Sequence, residues 1–466
     1  MLGLIAAWRE QRAGLEPVLV SPAAGSAMER AAADAGWQTI VAPYRGWVSF
    51  AERESAARRR LERADAAEQV AVLGAVLDTV QPALVIVNTV VTPWAAVAAH
   101  ERGIPVAWFV REFVDDRAGF LLREGRAATL RHVDALATRV LANSEAVRQS
   151  IADVIPAERV GVAHPVIDLA AVRHAIEHRS RVRERHAAAS HGAPSTRPGR
   201  PAGPRLRIGL VGRVTPEKGH LIAVEALARL VEQGVDAELD IVGGVILPGF
   251  DHELRRHARR RGVAERVHLL GEKQRPLEHL ALADVSLVPS PREAFGRVTL
   301  ESLALGLPVV ASTRGGAPEI VEHGVSGALV DVSDPAAVAD ALSLYAHDLA
   351  LLAEHRAAAA DRAQQVIAGP HGAAATIAEL EGLIAAHPPR SADAPTGADA
   401  RTSLLAGATP LSPTTRAALH LADHVSTTAS RVGRLLRDPR TPLRRRWVVL
   451  SGRARRLRER RRAPRG

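Results

Sequence analysis

Glu293 and Glu301 stand eight residues apart in the segment Ser290-Pro291-Arg292-Glu293-Ala294-Phe295-Gly296-Arg297-Val298-Thr299-Leu300-Glu301. The apolar run Val285–Val288 before it reads as a buried strand, and Val298–Leu305 reads as a helix. Glu293 then precedes the helix and Glu301 lies inside it, so both carboxylates can face one cleft at different depths. Gly296 lets the backbone approach a ligand, with the free N–H groups of a helix start behind it. Carboxylates so placed can accept hydrogen bonds from sugar hydroxyls. Taken alone, the pair reads equally well as a helix-entry charge and an exposed helix residue.

Two further turns have the same character. Ile208-Gly209-Leu210-Val211-Gly212-Arg213-Val214-Thr215-Pro216-Glu217-Lys218-Gly219 reads as a strand ending at Gly212, with Pro216 at the first position of a helix. Arg213 and Lys218 would flank an anion site at a helix start, a fit for a diphosphate. A plain strand–helix turn with solvated charges is the competing reading. Ser312-Thr313-Arg314-Gly315-Gly316-Ala317-Pro318-Glu319-Ile320 follows a third strand, Pro308–Ala311, and makes another Gly-rich turn. Three such turns at the carboxyl ends of strands in one sheet carry more weight than any one of them.

The elements that must position these turns form two series. In the first, Pro17–Val20, Ala83–Val87, Val106–Val110 and Arg139–Ala142 read as strands. Helical patterns cover Ala51–Thr79, Pro93–Arg102 and Glu145–Val154. In the second, strands at Leu206–Val211, Ala237–Val242, Val267–Leu270, Val285–Val288 and Pro308–Ala311 alternate with helices at Glu217–Glu232, His252–Arg261 and Val298–Leu305. Such alternation predicts an α/β fold of two doubly wound parallel-sheet domains. A doubly wound domain opens with a strand and a Gly-rich turn. Here Leu2–Arg12 is already helical, and that opening has no counterpart in the sequence. The expected organisation is a first domain at 1–185, a linker at 186–204, a second domain at 205–387, a low-complexity linker at 388–430 and an Arg-rich tail at 431–466.

Bulk properties narrow the function. The 466 residues contain no cysteine, which excludes disulfide frameworks, thiolate metal sites and cysteine nucleophiles. The formal net charge is +10. From Arg431 to Gly466, fifteen Arg oppose only Asp438 and Glu459, so the tail carries +13 and the remaining chain −3. A mildly acidic body argues against a nucleic-acid-binding core. No secretory signal pattern or membrane-spanning run is visible, and a cytoplasmic location is expected. The tail, with Trp447-Val448-Val449-Leu450 among its Arg, reads either as an element that binds anionic lipid at the inner membrane face or as a solvated basic tail.

Glu293–Glu301 resembles the Glu-x7-Glu motif of the retaining glycosyltransferase family 4, whose fold is GT-B: two Rossmann-like domains facing across a cleft. Gly212-Arg213 with Pro216-Glu217-Lys218-Gly219 resembles that family's phosphate motif. Gly315-Gly316 with Pro318-Glu319 resembles its third donor loop, Leu269-Leu270-Gly271-Glu272 the loop near the base, and Ala142-Asn143-Ser144-Glu145-Ala146-Val147 a helix start in the first domain. The resemblance runs from about residue 1 to about 385. It implies a nucleotide-diphosphate sugar as co-substrate, with a glycan, lipid or small-molecule acceptor, and neither cofactor nor metal. Arg213 and Lys218 would neutralise the departing diphosphate, with Glu293 on the donor sugar and Glu301 on the ribose. Gly212, Phe295, Gly296, Gly315, Gly316 and Glu319 would complete the donor site. Asp-x-Asp, the metal-binding pair of the other large glycosyltransferase fold, is absent from the sequence.

Departures from the family pattern concentrate in the first domain. Where the family usually has a His after the Val106–Val110 strand, this chain has Arg111-Glu112-Phe113, and Arg111 and Glu112 are the acceptor-side candidates. The absent opening strand and glycine loop keep a second expectation open, a glycosyltransferase-like partner protein without catalysis. A sugar-nucleotide epimerase would lack the Glu-x7-Glu arrangement. A nicotinamide dehydrogenase would need Gly-x-Gly-x-x-Gly after a strand, and none occurs.

Overall fold

The computed structural model describes residues 1–12, 14–44, 46–49, 56–115, 121–122, 125–189 and 205–388. The linker residues 190–204 and everything from 389 onward, including the Arg-rich tail, lie outside the described residues.

The first half contains α1 (Leu2–Gln11), β1 (Val18–Ser21), α2 (Ala27–Asp34), β2 (Gln38–Val41), β3 (Val48–Ser49), α3 (Ala56–Val80), β4 (Val85–Val87), α4 (Trp94–Glu101), β5 (Val106–Val110), β6 (Leu121–Leu122), α5 (Arg126–Leu136), β7 (Arg139–Ala142), α6 (Glu145–Ile151), β8 (Val160–Val162) and α7 (Leu169–Ala189). The second contains β9 (Leu206–Val211), α8 (His220–Glu232), β10 (Ala237–Val242), α9 (Phe250–Arg260), β11 (Val267–Gly271), α10 (Pro276–Leu280), β12 (Val285–Val288), α11 (Arg297–Ala304), β13 (Val309–Ser312), α12 (Ala317–Ile320), β14 (Gly327–Val330), α13 (Pro335–His347), α14 (Leu349–Ala368) and α15 (Ala373–Ala386).

The strands predicted from continuous apolar runs all form, because a parallel strand covered on both faces needs no polar alternation. The short, partly buried β2, β8 and β14 were not predicted; β2 has the pattern exposed, half-buried, half-buried, exposed. One predicted boundary is corrected. Pro216 opens a single 3-10 turn, Pro216–Lys218, and the α-helix starts only at His220 after the left-handed Gly219.

The second sheet is six-stranded and parallel, in the order β11-β10-β9-β12-β13-β14. Between β9 and β12 the strand order reverses, which puts the loops after these two strands at the switch point where doubly wound sheets bind ligands. The sheet of the first half is divided. Four parallel strands run in the order β4-β5-β7-β8, while β1 and β2 pair only with each other. Both pieces lie in one layer: Val20, Val85 and Val87 face one core, and Leu19 and Ile86 face the other.

Two helices cross between the halves. Val172 and Ala175 of α7 pack with Leu280 and Leu303 in a core of the second half. Ile377 and Leu380 of α15 pack with Trp8, Phe109 and Leu141 in a core of the first. Trp8 Nε1 donates to Glu381 Oε1 at 2.9 Å and anchors α1 against α15. Among the described residues no single helix is long and apolar enough to cross a membrane.

Candidate active site

The loops after β9, β12 and β13 meet at one edge of the second sheet, and glycines permit the meeting. Gly219 has φ +73°, and a Cβ built on it would stand 2.1 Å from the Pro289 carbonyl oxygen. Gly315, at φ +77°, would press a Cβ to 2.2 Å from Glu293 O, and Gly316 one to 2.6 Å from Phe295 Cα. The first loop therefore lies against the second, and the third against the other side of the second. Gly316 N–H donates to Glu293 O at 2.9 Å. The N–H of Gly316, a residue the family resemblance places in the donor site, is thus engaged in holding the loop of Glu293.

Lys218 Nζ donates to Glu293 Oε1 at 2.6 Å, and the Ser290 hydroxyl donates to the same oxygen at 2.7 Å. Oε2 of Glu293 has no protein partner among the described residues. Lys218 and Glu293 are both half-buried, in a setting where charge-assisted hydrogen bonds are short and strong. Arg213, at the start of the first loop just beyond Gly212, is exposed and has no ion-pair partner among the described residues. The loop edge thus holds one cation paired to a carboxylate and one cation open to a ligand.

Glu301 sits inside α11, one turn beyond Arg297, whose Nε lies 3.1 Å from Glu301 Oε1. Burial raises the Glu301 carboxyl above its ordinary range, with Arg297 opposing. Phe295 is only 2 % exposed and packs in the core beneath the loop, against the His164 ring of the first half at 4.8 Å. Gly296 is left-handed at φ +97°, with the Thr299 hydroxyl 2.9 Å from where a Cβ would be. It caps α11, so the helix-start N–H groups open beside the loop of Glu293.

The acceptor-side candidates are both half-buried. Glu112 accepts from the Thr89 hydroxyl, from Val90 N–H at 3.0 Å and from Arg111 N–H at 2.9 Å, which ties the loop after β4 to the end of β5. Burial pushes its carboxyl up against those bonds. The carboxylate is thus engaged within its own domain. Burial also pulls the Arg111 guanidinium down; Glu112 opposes that shift and Arg297, across the cleft, adds to it. Arg111 Nε is buried without a hydrogen-bond partner.

Several contacts across the cleft were not singled out in the sequence. Arg292 pairs with Asp115 and lies 3.7 Å from the centroid of the Phe113 ring. Ser144 caps α6, accepting from Val147 N–H at 3.0 Å, and its hydroxyl donates to Ala294 O. Glu319 accepts from Glu145 N–H at 2.8 Å and from Ala146 N–H at 2.9 Å. A cap at Ser144 was legible from its Ser-Glu start. Partners 150 to 177 residues away in sequence leave no local signal.

Comparison with known proteins bears on the family and the fold. Residues 205–348 match the family model described as glycosyl transferases group 1, and residues 5–171 match that described as glycosyltransferase family 4. A D-inositol 3-phosphate glycosyltransferase from Corynebacterium glutamicum is 37% identical over 147 residues, which covers 30% of this chain and 35% of that protein. One from Thermobispora bispora is 31% identical over 260 residues, 53% of this chain and 56% of the relative. These alignments span from about a third to just over half of the relatives' own length. In fold, the chain is similar to Anabaena HepE solved in complex with UDP, with a TM-score of 0.62, 21% identity, and coverage of 83% of this chain and 94% of that one. With both halves matched, the sheet order and switch-point loops in place and the same fold recurring in solved relatives, the chain belongs to glycosyltransferase family 4 and has the GT-B fold.

Proposed function

We propose that the protein is a retaining glycosyltransferase that moves a hexosyl unit from a nucleotide-diphosphate sugar to a glycan, lipid or small-molecule acceptor. The observation that carries this reading is the Lys218–Glu293 pair, 2.6 Å apart at the switch point, with the unpaired Arg213 on the same edge. A departing diphosphate needs cations fixed in advance where its charge develops. Arg213 and Lys218 supply them in place of a metal ion. Glu293 Oε1 orients the ammonium, and Oε2 is left to accept a donor hydroxyl. Glu301 lies one helical turn into α11, where the ribose would be bound. The oxocarbenium-like centre forms on the face shared with the leaving phosphate, so the acceptor attacks from the side it departs and configuration is kept.

UDP-sugars are the first donors to test, because the Anabaena neighbour was solved with UDP and with UDP-glucose. The curated relatives are named for inositol 3-phosphate, a small acceptor. Lys218→Ala and Glu293→Ala should each lower transfer by about 10²–10³-fold, the scale of losing one fixed transition-state contact. If nucleotide sugars raise the melting temperature of the parent and the Glu293→Ala protein equally, the donor assignment fails.

The second reading, a partner protein without catalysis, draws on the divided first sheet, since β1 and β2 do not pair with β4. Absence of sugar transfer from every nucleotide sugar that stabilises the parent would favour it. A cytoplasmic location, with the tail on anionic membrane, completes the proposal. A tail-deleted protein that sediments with anionic vesicles as well as the full chain would refute the membrane part.

A further inference from the structure

The donor-side loops are gripped by the first domain at two points on either side of Glu293. Ala294, the next residue, has its carbonyl oxygen held by the Ser144 hydroxyl. Gly316, whose N–H holds Glu293 O, stands three residues before Glu319, and both carboxylate oxygens of Glu319 reach the first domain. They accept from Glu145 and Ala146, the first two N–H groups of α6, which have no partner within a helix. The carboxylate also meets the positive end of that helix, and a hydrogen bond to an ionised acceptor is roughly twice as strong as a neutral one. His164 Nε2 lies 3.4 Å from Glu319 Oε2, and the His164 ring rests on Phe295. On the second-domain side, Arg362 fixes the base of the latch by donating to Glu319 O and Ile320 O, both at 2.9 Å.

We infer that Glu319 is an interdomain latch: its carboxylate bridges to the N-terminus of α6 and, together with the Ser144–Ala294 bond, holds the two domains closed with Glu293 in its working position. Glu319 is thus a positioning residue, acting through the loop of Glu293 rather than by touching the donor. The latch sits on the same loops as the donor site, so closure and donor occupancy are thermodynamically coupled, and each strengthens the other. The catalytic consequence rests on the donor-site reading proposed above. The latch itself is a property of the unliganded protein and can be tested without it.

The chain has no cysteine, so two introduced cysteines can be spin-labelled without background. Asp34→Cys on α2 and His252→Cys on α9 are exposed, one on each domain. Double electron–electron resonance on the full chain should give one distance population for the parent. Glu319→Ala and Ser144→Ala should each add a second, longer one, and Glu319→Gln, which keeps one acceptor oxygen, should fall between parent and Glu319→Ala. UDP affinity by calorimetry should fall about five- to tenfold in Glu319→Ala, the lower range of an ordinary coupling between sites, and kcat for transfer should fall with it. An unchanged distance distribution in Glu319→Ala overturns the latch. If that unchanged distribution comes with weakened UDP binding, Glu319 is a nucleotide ligand instead. If neither UDP nor GDP binds the parent, the donor reading fails, and the distance measurement still decides the latch.

Discussion

The sheets of the two domains treat their ligand edges differently. In the second, six continuous parallel strands present three loops that press on one another, and Lys218 of one bonds to Glu293 of the next. In the first, four strands stand apart from β1 and β2, and Glu112 at the edge is drawn into the domain itself, accepting from three local donors. One edge is a set of mutually fixed loops with a cation left open to a ligand. The other is a closed network with one guanidinium nitrogen left unpaired. A site that must hold a diphosphate benefits from the first arrangement, because its charges are fixed before the ligand arrives.

The contrast can be broken most severely at the glycine that lets the loops touch. Gly219→Ala should destabilise the second domain by about 2–4 kcal/mol, because left-handed strain is added to a backbone clash with Pro289. Gly36→Ala, at a similar φ of +72° in the first domain but with open space around it, should cost only about 1 kcal/mol. Urea denaturation of the two variants compares them directly; equal losses would mean that the loop contact adds nothing.

Glu112 and Glu301 sharpen the contrast, since burial raises both carboxyls yet removing each should act in opposite directions. Glu112→Ala strands three donors in the first domain and should destabilise by about 1–3 kcal/mol. Glu301→Gln should do the reverse, and by less. A carboxyl whose folded pKa lies above its unfolded value binds more protons when folded, so its ionisation opposes folding above that range. Glu301→Gln should therefore be more stable than the parent at pH 7, and the advantage should vanish as the pH falls towards 4. Melting curves from pH 4 to 8 check this; a Glu301→Gln advantage independent of pH would point to a packing effect.

Much of the second domain was legible before its structure. The runs at 206–211, 237–242 and 285–288 become strands with those bounds, because fully buried parallel strands show as unbroken apolar runs. The turn before α11 was legible too, since Gly296 takes a left-handed conformation that glycine adopts readily, whereas the start of α8 lies later than Pro216 suggests. Less of the first domain was readable. β2 has too few buried residues to show as a strand, and the role of Glu112 depends on Thr89 and Val90, more than twenty residues away.

Local chemistry in the sequence determined which residues could carry the site: the two glutamates on either side of a helix start, the cations beside turns, and the glycines where the backbone must bend. Tertiary structure decided how they are joined. It paired Lys218 with Glu293, turned Glu319 toward α6 rather than into its own domain, and sent α7 and α15 across to the opposite cores. Backbone propensity and apolar periodicity act over a few residues and so are written locally. A hydrogen bond between residues 75 positions apart exists only once the second sheet has set β9 beside β12, and one between residues 174 apart only once the two domains have brought their edges together.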